Sequence, residues 1–126
     1  MYERIYKKLD KLTGGIESFA SDLDSTIKKE QSCYMPLYID TIGNNEIALA
    51  HYYKQNGDLC PDPDMQIKIV PEMKMAEALT LQDSFGFKQV YYEKDGTMFV
   101  NPSLKRDLNR FLDQWLTNLR QQGFYK

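Results

Sequence analysis

The sequence predicts an α+β domain: an antiparallel sheet of five or six strands, with an N-terminal helix and a long C-terminal helix packed on one face. Three observations predict it. Apolar residues recur with a helical period at both ends of the chain, they alternate with a period of two through the middle, and the alternating runs are joined by short Asn-Gly and Asp-Gly turns. Consecutive strands joined by short turns favour an antiparallel meander, and amphipathic helices need a sheet face on which to bury their stripes.

Taken in order, Tyr2 to Leu12 reads as a helix with Tyr2, Ile5, Leu9 and Leu12 on one face, lysines on the other, and Gly14-Gly15 as its stop. Ile16, Phe19, Ala20, Leu23 and Ile27 keep a helical spacing as well. The serines and aspartates between them favour caps and turns, so a short helix is expected there, followed by a polar connection over Lys28 to Ser32. From Met35 the period becomes two. Met35, Leu37, Ile39 and Thr41 turn through Gly43-Asn44-Asn45 into Ile47, Leu49, His51 and Tyr53, which predicts a hairpin.

Asn56-Gly57-Asp58 marks a second turn, and Cys60-Pro61-Asp62-Pro63-Asp64, with two residues lacking amide donors, is expected to be an irregular or edge excursion. Met65, Ile67 and Ile69 resume a strand. Glu72 to Gln82 is open to two readings: its residues individually favour helix, yet Met73, Met75, Leu79 and Leu81 alternate, and its place between two strand-like segments favours a strand. Phe87 to Glu93 is expected as one strand turning through Lys94-Asp95-Gly96 into Thr97 to Val100. The last helix has the clearest period. Leu104, Leu108, Phe111, Leu112, Trp115, Leu116 and Leu119 form one stripe, Asn101 can cap, Pro102 suits the first position, Gly123 suits a left-handed end, and Asn109 falls on the polar side.

A chain of 126 residues, 42% hydrophobic and 27% charged, has the composition of one globular domain spanning 1–126. No apolar run reaches the ~20 residues that a bilayer span needs, and the N-terminus is charged where a signal peptide is apolar. A cytoplasmic, bacterial protein without membrane association is expected, as a monomer or a homodimer. The formal charge of −2 gives no basic footprint, so direct nucleic-acid binding is not expected. Cys33 and Cys60 lie in no CxxC or Cys–His cluster and read as free thiols.

Local signatures of catalysis are missing: GxSxG, HExxH, Walker and GxGxxG patterns are all absent, so no enzyme, no cofactor and no resident metal is expected. Asp58, Asp62, Asp64 and the nearby Glu72 offer hard oxygen ligands but lack the dense, glycine-bearing pattern of a metal loop. His51, the single histidine, has the parity of Ile47 and Leu49 and reads as a hydrogen-bonded histidine near the end of the sheet. Nine tyrosines exceed the needs of so small a core. Tyr52-Tyr53 and Tyr91-Tyr92 must each place one ring on either side of a strand, near Lys54, Lys88 and Lys94, where tyrosine supplies contact area at low entropic cost.

Ala50-His51-Tyr52-Tyr53-Lys54-Gln55-Asn56-Gly57-Asp58-Leu59, Asp62-Pro63-Asp64-Met65, Ala76 to Gln82 and Asn101-Pro102-Ser103-Leu104-Lys105 together resemble small proteins carried by bacterial conjugative elements, plasmids and phages. The resemblance runs from about residue 47 to the C-terminus. It implies a cofactor-free accessory protein of a mobile element, from a setting in which counter-defence factors such as anti-CRISPR inhibitors of guide-directed nucleases occur. The expected function is therefore a non-enzymatic protein-binding factor whose partner is a host CRISPR-Cas nuclease, engaged through Tyr52, Tyr53, Tyr91, Tyr92 and the acidic residues Asp58, Asp62, Asp64 and Glu72. The alternatives are single-stranded nucleic-acid binding by Tyr52 or Tyr53 with Lys88 and Lys94, and a small hydrolase using His51 with an acidic partner.

Overall fold

A computed structural model describes residues 1–126. Helix α1 (Tyr2–Thr13) buries Ile5, Tyr6, Leu9 and Leu12 and ends on a left-handed Gly14. Helix α2 (Ile16–Ser21) stops where the Ser/Asp-rich run begins, because those side chains compete for backbone hydrogen bonds. The helix expected to continue toward Ile27 is thus cut short, and the chain enters β1 (Thr26–Lys29), which the reading from sequence divided between helix and polar connection. Four residues with a single apolar side chain packed on the core, Ile27, carry too little period to be recognised.

Strands β2 (Leu37–Gly43), β3 (Glu46–Gln55) and β4 (Asp58–Val70) follow as antiparallel neighbours. The β3–β4 turn has φ of 54° at Asn56 and 87° at Gly57, the left-handed pair that matches strand twist in a tight hairpin. Cys60 to Asp64 is not an excursion from the sheet. Tyr53 pairs with Cys60, Tyr52 with Pro61 and Ala50 with Asp64, so Asp62 and Pro63 together oppose His51 as a bulge, where missing amide donors are tolerated.

A 3₁₀ turn (Pro71–Met73) leads to β5 (Met75–Ala78), and β6 (Thr80–Asp83) and β7 (Gly86–Gln89) come next. Glu72 to Gln82 is therefore mainly strand, with a break at Leu79. The main sheet runs β1-β2-β3-β4-β6-β7, with β5 on the same edge of β4 as β6, seven strands in all. The expected single strand from Phe87 to Glu93 is instead divided at Val90, where β7 ends and a separate hairpin, β8 (Tyr91–Lys94) with β9 (Thr97–Val100), begins. Val90 is fully buried; its N–H donates to the Leu79 carbonyl at 2.9 Å and its own carbonyl accepts from Asn101 at 2.9 Å. Those bonds redirect the chain out of the main sheet.

Helix α3 (Pro102–Gln121) begins with the Asn101 side chain accepting from the Leu104 N–H at 3.1 Å, and Gly123 beyond its end has φ of 95°. Leu108, Leu112, Trp115, Leu116 and Leu119 are buried and Leu104 is half-buried. Two positions depart from the stripe. Phe111 is 42% exposed, and Asn109, expected on the polar side, is fully buried. Its Oδ1 accepts from the Ala78 N–H at 2.8 Å and its Nδ2 donates to the Lys105 carbonyl at 2.7 Å. An otherwise unpaired amide of the short strand β5 is capped from the helix, which blunts a free edge.

α3 spans about 30 Å at ~1.5 Å per residue, and it passes from β5, where Asn109 binds, over His51 of β3, whose ring lies 5.7 Å from Trp115, toward β1, where Lys29 donates to the Phe124 carbonyl. It is flanked by α1, with Lys8 Nζ 2.7 Å from Asp113 Oδ1 and Arg4 3.0 Å from Asp113 Oδ2. The three helices and the face bearing Leu37, Ile39, Ile47, Leu49, Met65, Ile67 and Ile69 form one core of 24 residues. No helix is long and apolar enough to cross a membrane.

Leu112→Asp is expected to abolish the cooperative thermal melt, whereas Phe111→Asp, one residue away but half in water, preserves it. Asn109→Ala leaves the Ala78 amide unsatisfied in the core and should lower the unfolding free energy by about 1–3 kcal/mol in chemical denaturation. Equal behaviour of the two aspartate variants would show that the helix does not pack through this face.

Candidate functional site

The face of the sheet opposite the helices is built by strand register alone. Lys28 of β1 lies beside Tyr38 of β2, then Ala50 of β3, Asp64 of β4, Gln82 of β6 and Phe87 of β7. A second row places Thr26, Asp40, Ala48 and Gln66 side by side. Tyr52, two residues along β3 from Ala50, brings its ring to 5.5 Å from that of Tyr38, edge to face at 67°. Ala50 is only 2% exposed although no helix covers it, because the two tyrosines flank it. The pair shields the middle of an otherwise bare face.

Charge gathers around the rings. Lys28 Nζ lies 5.6 Å from the centre of the Tyr38 ring and pairs with Glu30 at 3.0 Å, and Thr26 donates to Asp40 at 2.8 Å. Asp64 is half-buried, and its carboxyl is pushed up from the ordinary carboxylate range by desolvation and then by the negative charge of Asp40. Burial likewise raises the Tyr52 phenol, with Asp64 and Asp40 adding to it. A half-buried carboxyl with a like charge close by and two electron-rich rings beside it forms a site suited to a cation, because a guanidinium or ammonium relieves the repulsion and stacks on a ring.

Of the residues singled out from sequence, Tyr52 and Asp64 meet here. Tyr53, on the opposite side of β3, Asp58, opposite Gln55, and Asp62, in the bulge, line the distal β3–β4 ribbon. Glu72 is exposed on the 3₁₀ turn. Tyr91 is tied elsewhere: its hydroxyl donates to Glu77 at 3.0 Å, and Lys105 sits 3.3 Å from Glu77 and 5.5 Å from the Tyr91 ring, which with the Glu77 charge holds the ammonium well above the usual lysine range. Tyr92 stacks on Phe99 at 5.6 Å in the separate hairpin, where Met98, Phe99 and Val100 are exposed and only Tyr91, at the root, packs against the core. Lys88 belongs to β7 and Lys94 to that hairpin, so the two are not gathered around Tyr52.

The residues absent from the sequence-derived set are Tyr38, Asp40 and Lys28. The alternation of Tyr38 and Asp40 with Leu37 and Ile39 is a usable signal, since the Gly43-Asn44-Asn45 turn fixes which β3 residues stand opposite them. Lys28 carried none, because β1 itself was not recognised. No three His, Cys, Asp or Glu side chains converge as a metal would require.

His51 is 8% exposed between Trp115 and Phe124, with ring distances of 5.7 and 5.8 Å. Its Nδ1 lies 3.1 Å from the Pro36 carbonyl, which can only accept, so the neutral ring carries its proton on Nδ1. Desolvation depresses its pKa, against the opposing effects of the Pro36 and Met35 backbone and the Asp62 charge.

Residues 2–125 match the family model described as "Domain of unknown function (DUF6908)", and the chain belongs to that family. Neither the curated proteins nor the solved structures contain a match to it.

The depressed His51 pKa has a pH signature. Above the unfolded value of 6.5 the neutral ring is retained in both states; as pH falls through 6.5 toward the lower folded value, only the unfolded chain takes up the proton and stability is lost. Urea titrations from pH 7.5 to 5 should show this decline, and His51→Gln should flatten it. A decline of the same size in the variant would assign it to other groups.

Proposed function

We propose that this DUF6908 protein is a non-enzymatic binding factor that docks an arginine-bearing segment of a protein partner on the uncovered sheet face, between Tyr38, Tyr52, Asp40 and Asp64. The supporting observation is the half-buried Asp64 carboxyl beside the Tyr38–Tyr52 pair, a group already partly stripped of water and repelled by Asp40. An arginine offers what that site lacks: a planar cation that stacks on a ring while donating twice to a carboxylate. Asp58 and Asp62 extend the acidic surface along the β3–β4 ribbon.

Arginines accessible in this way are those that otherwise hold nucleic-acid phosphate. In keeping with the sequence resemblance to accessory proteins of mobile elements, we assign the partner to the guide-directed nucleases of bacterial defence, met in the cytoplasm. Single-stranded nucleic acid on the same tyrosines would set phosphates against Asp40 and Asp64, which disfavours that alternative.

In a purified inhibition assay, Tyr52→Ala and Asp64→Lys are each expected to weaken binding to the nuclease by about 2 kcal/mol, roughly 30-fold, as central interface anchors do. Both variants should keep a cooperative melt. Inhibition unchanged in Asp64→Lys would remove this face from the interface.

A further inference from the structure

We propose that the groove between α1 and α3, on the helical side of the molecule, binds the phosphodiester backbone of double-stranded nucleic acid through Lys7, Lys11 and Arg120. The site is separate from the sheet face and does not depend on it. Arg4, Lys7, Lys8 and Lys11 recur at i, i+3, i+4 and i+7 of α1 and so form one charged stripe, and Arg120 faces them from α3 across a groove of about 260 Å³.

Five cations line this groove, and only Asp113 answers them, engaged by Arg4 at 3.0 Å and Lys8 at 2.7 Å. Lys7, Lys11 and Arg120 form no ion pair. Like charges at i, i+3 and i+4 repel; Glu3 and Asp10, four before and three after Lys7, offset part of that repulsion, and an outside anion in the groove relieves the rest. Lys11 and Arg120 lie in the last turns of their helices, where a cation also offsets the carbonyl ends; Lys7 has no such role. Glu3 and Asp10 of α1, with Glu17 of α2, line a second cavity on the other flank of α1; Lys7 stands on the ridge between the two, whereas Lys11 and Arg120 line only the cationic groove. A net charge of −2 averages over this segregation.

The shape and lining select the ligand. Lys7 and Lys11 stand about 6 Å apart along the helix axis, close to the ~7 Å rise of two phosphate steps on one duplex strand, with Arg120 opposite them. The one aromatic residue of the groove, Tyr125, is 7% exposed and donates its hydroxyl to the Leu116 carbonyl at 2.8 Å, so no ring is offered to an unstacked base. Backbone contact without base reading is what remains.

The test is fluorescence anisotropy with a labelled mixed-sequence duplex, a single strand of the same length, phosphatidylserine vesicles and polyglutamate as separate probes. Three phosphate contacts at ~0.9 each give a salt slope of about −2.7, so duplex affinity should fall about 40-fold between 50 and 200 mM NaCl. Lys7→Gln/Lys11→Gln/Arg120→Gln should lose at least tenfold in affinity at 50 mM and most of the slope, with its melt unchanged. Lys54→Gln/Lys88→Gln/Lys94→Gln, three exposed lysines on the sheet and the hairpin, should bind as the wild type does. The proposal is overturned if no duplex binds at 50 mM NaCl, if the groove variant retains its affinity, if the sheet variant is the one that loses it, or if vesicles or polyglutamate bind and the duplex does not. Salt-sensitive self-association that the duplex fails to disrupt would overturn it too, because the groove would then be filled by the acidic face of a second copy.

Discussion

One amphipathic helix laid obliquely across a sheet closes the core of this protein. α3 is long enough, at about 30 Å, to cross the roughly 19 Å width of five strands at ~4.8 Å spacing, and its buried leucines and Trp115 belong to the same core as the sheet, with Asn109 bonded to β5 and Trp115 against His51 of β3. Each large side chain removed from water contributes about 1.5–3 kcal/mol before the entropy of ordering it is subtracted, so no other single element contributes as much to the interface. α1 lies alongside and completes the cover, joined to α3 through Lys8, Arg4 and Asp113. Desolvation raises the Asp113 carboxyl, but the hydrogen bonds and charges of Lys8 and Arg4 outweigh it and hold the group below the usual range.

Because both long helices are spent on one side, the two faces of the sheet have different fates. The covered face is aliphatic. The bare face carries polar residues at its rim and, in its middle, two tyrosines that shelter Ala50 without any helix above them. A ring pair of this kind is a compromise between solubility and burial, and it leaves a partly desolvated carboxyl at Asp64 and a partly desolvated phenol at Tyr52. On the helical side the groove between α1 and α3 collects cations, while the other flank of α1 carries Glu3 and Asp10. A small chain of nearly balanced charge thereby presents two chemically distinct surfaces back to back.

The β8–β9 hairpin follows the same logic of local anchoring. A two-stranded ribbon is marginal in water by itself. This one is secured at its root by Val90, by the Tyr91–Glu77–Lys105 cluster and by the Asn101 cap that starts α3, while its Tyr92–Phe99 stack and Met98 stay accessible. Its sequence looks like an ordinary continuation of the strand before it. Only the backbone bonds at Val90 turn it away.

Periodicity and turn chemistry determined the α+β class and the boundaries that carry a local signal: α1 ending at Gly14, the turns at Asn56-Gly57 and Asp95-Gly96, and α3 between Asn101 and Gly123. Those features are local, fixed by residues within a few positions of one another. Parity also places Tyr52 on β3, whereas Asp64, expected in an excursion because of its neighbouring prolines, joins β4 only through its pairing with Ala50. What the tertiary structure decided was company. Asn109 looks polar and solvated until the free amide of Ala78, far away in sequence, needs a partner; β1 becomes a strand because β2 offers an edge; and Tyr38, Asp40 and Lys28 join Tyr52 only through register between strands. Charge shows the same limit, since a sum over the chain is blind to Arg120 folding back beside Lys7 and Lys11. Local spacing is encoded by neighbouring residues, whereas burial, pairing and the grouping of charge are set by contacts that exist only once the distant segments are packed.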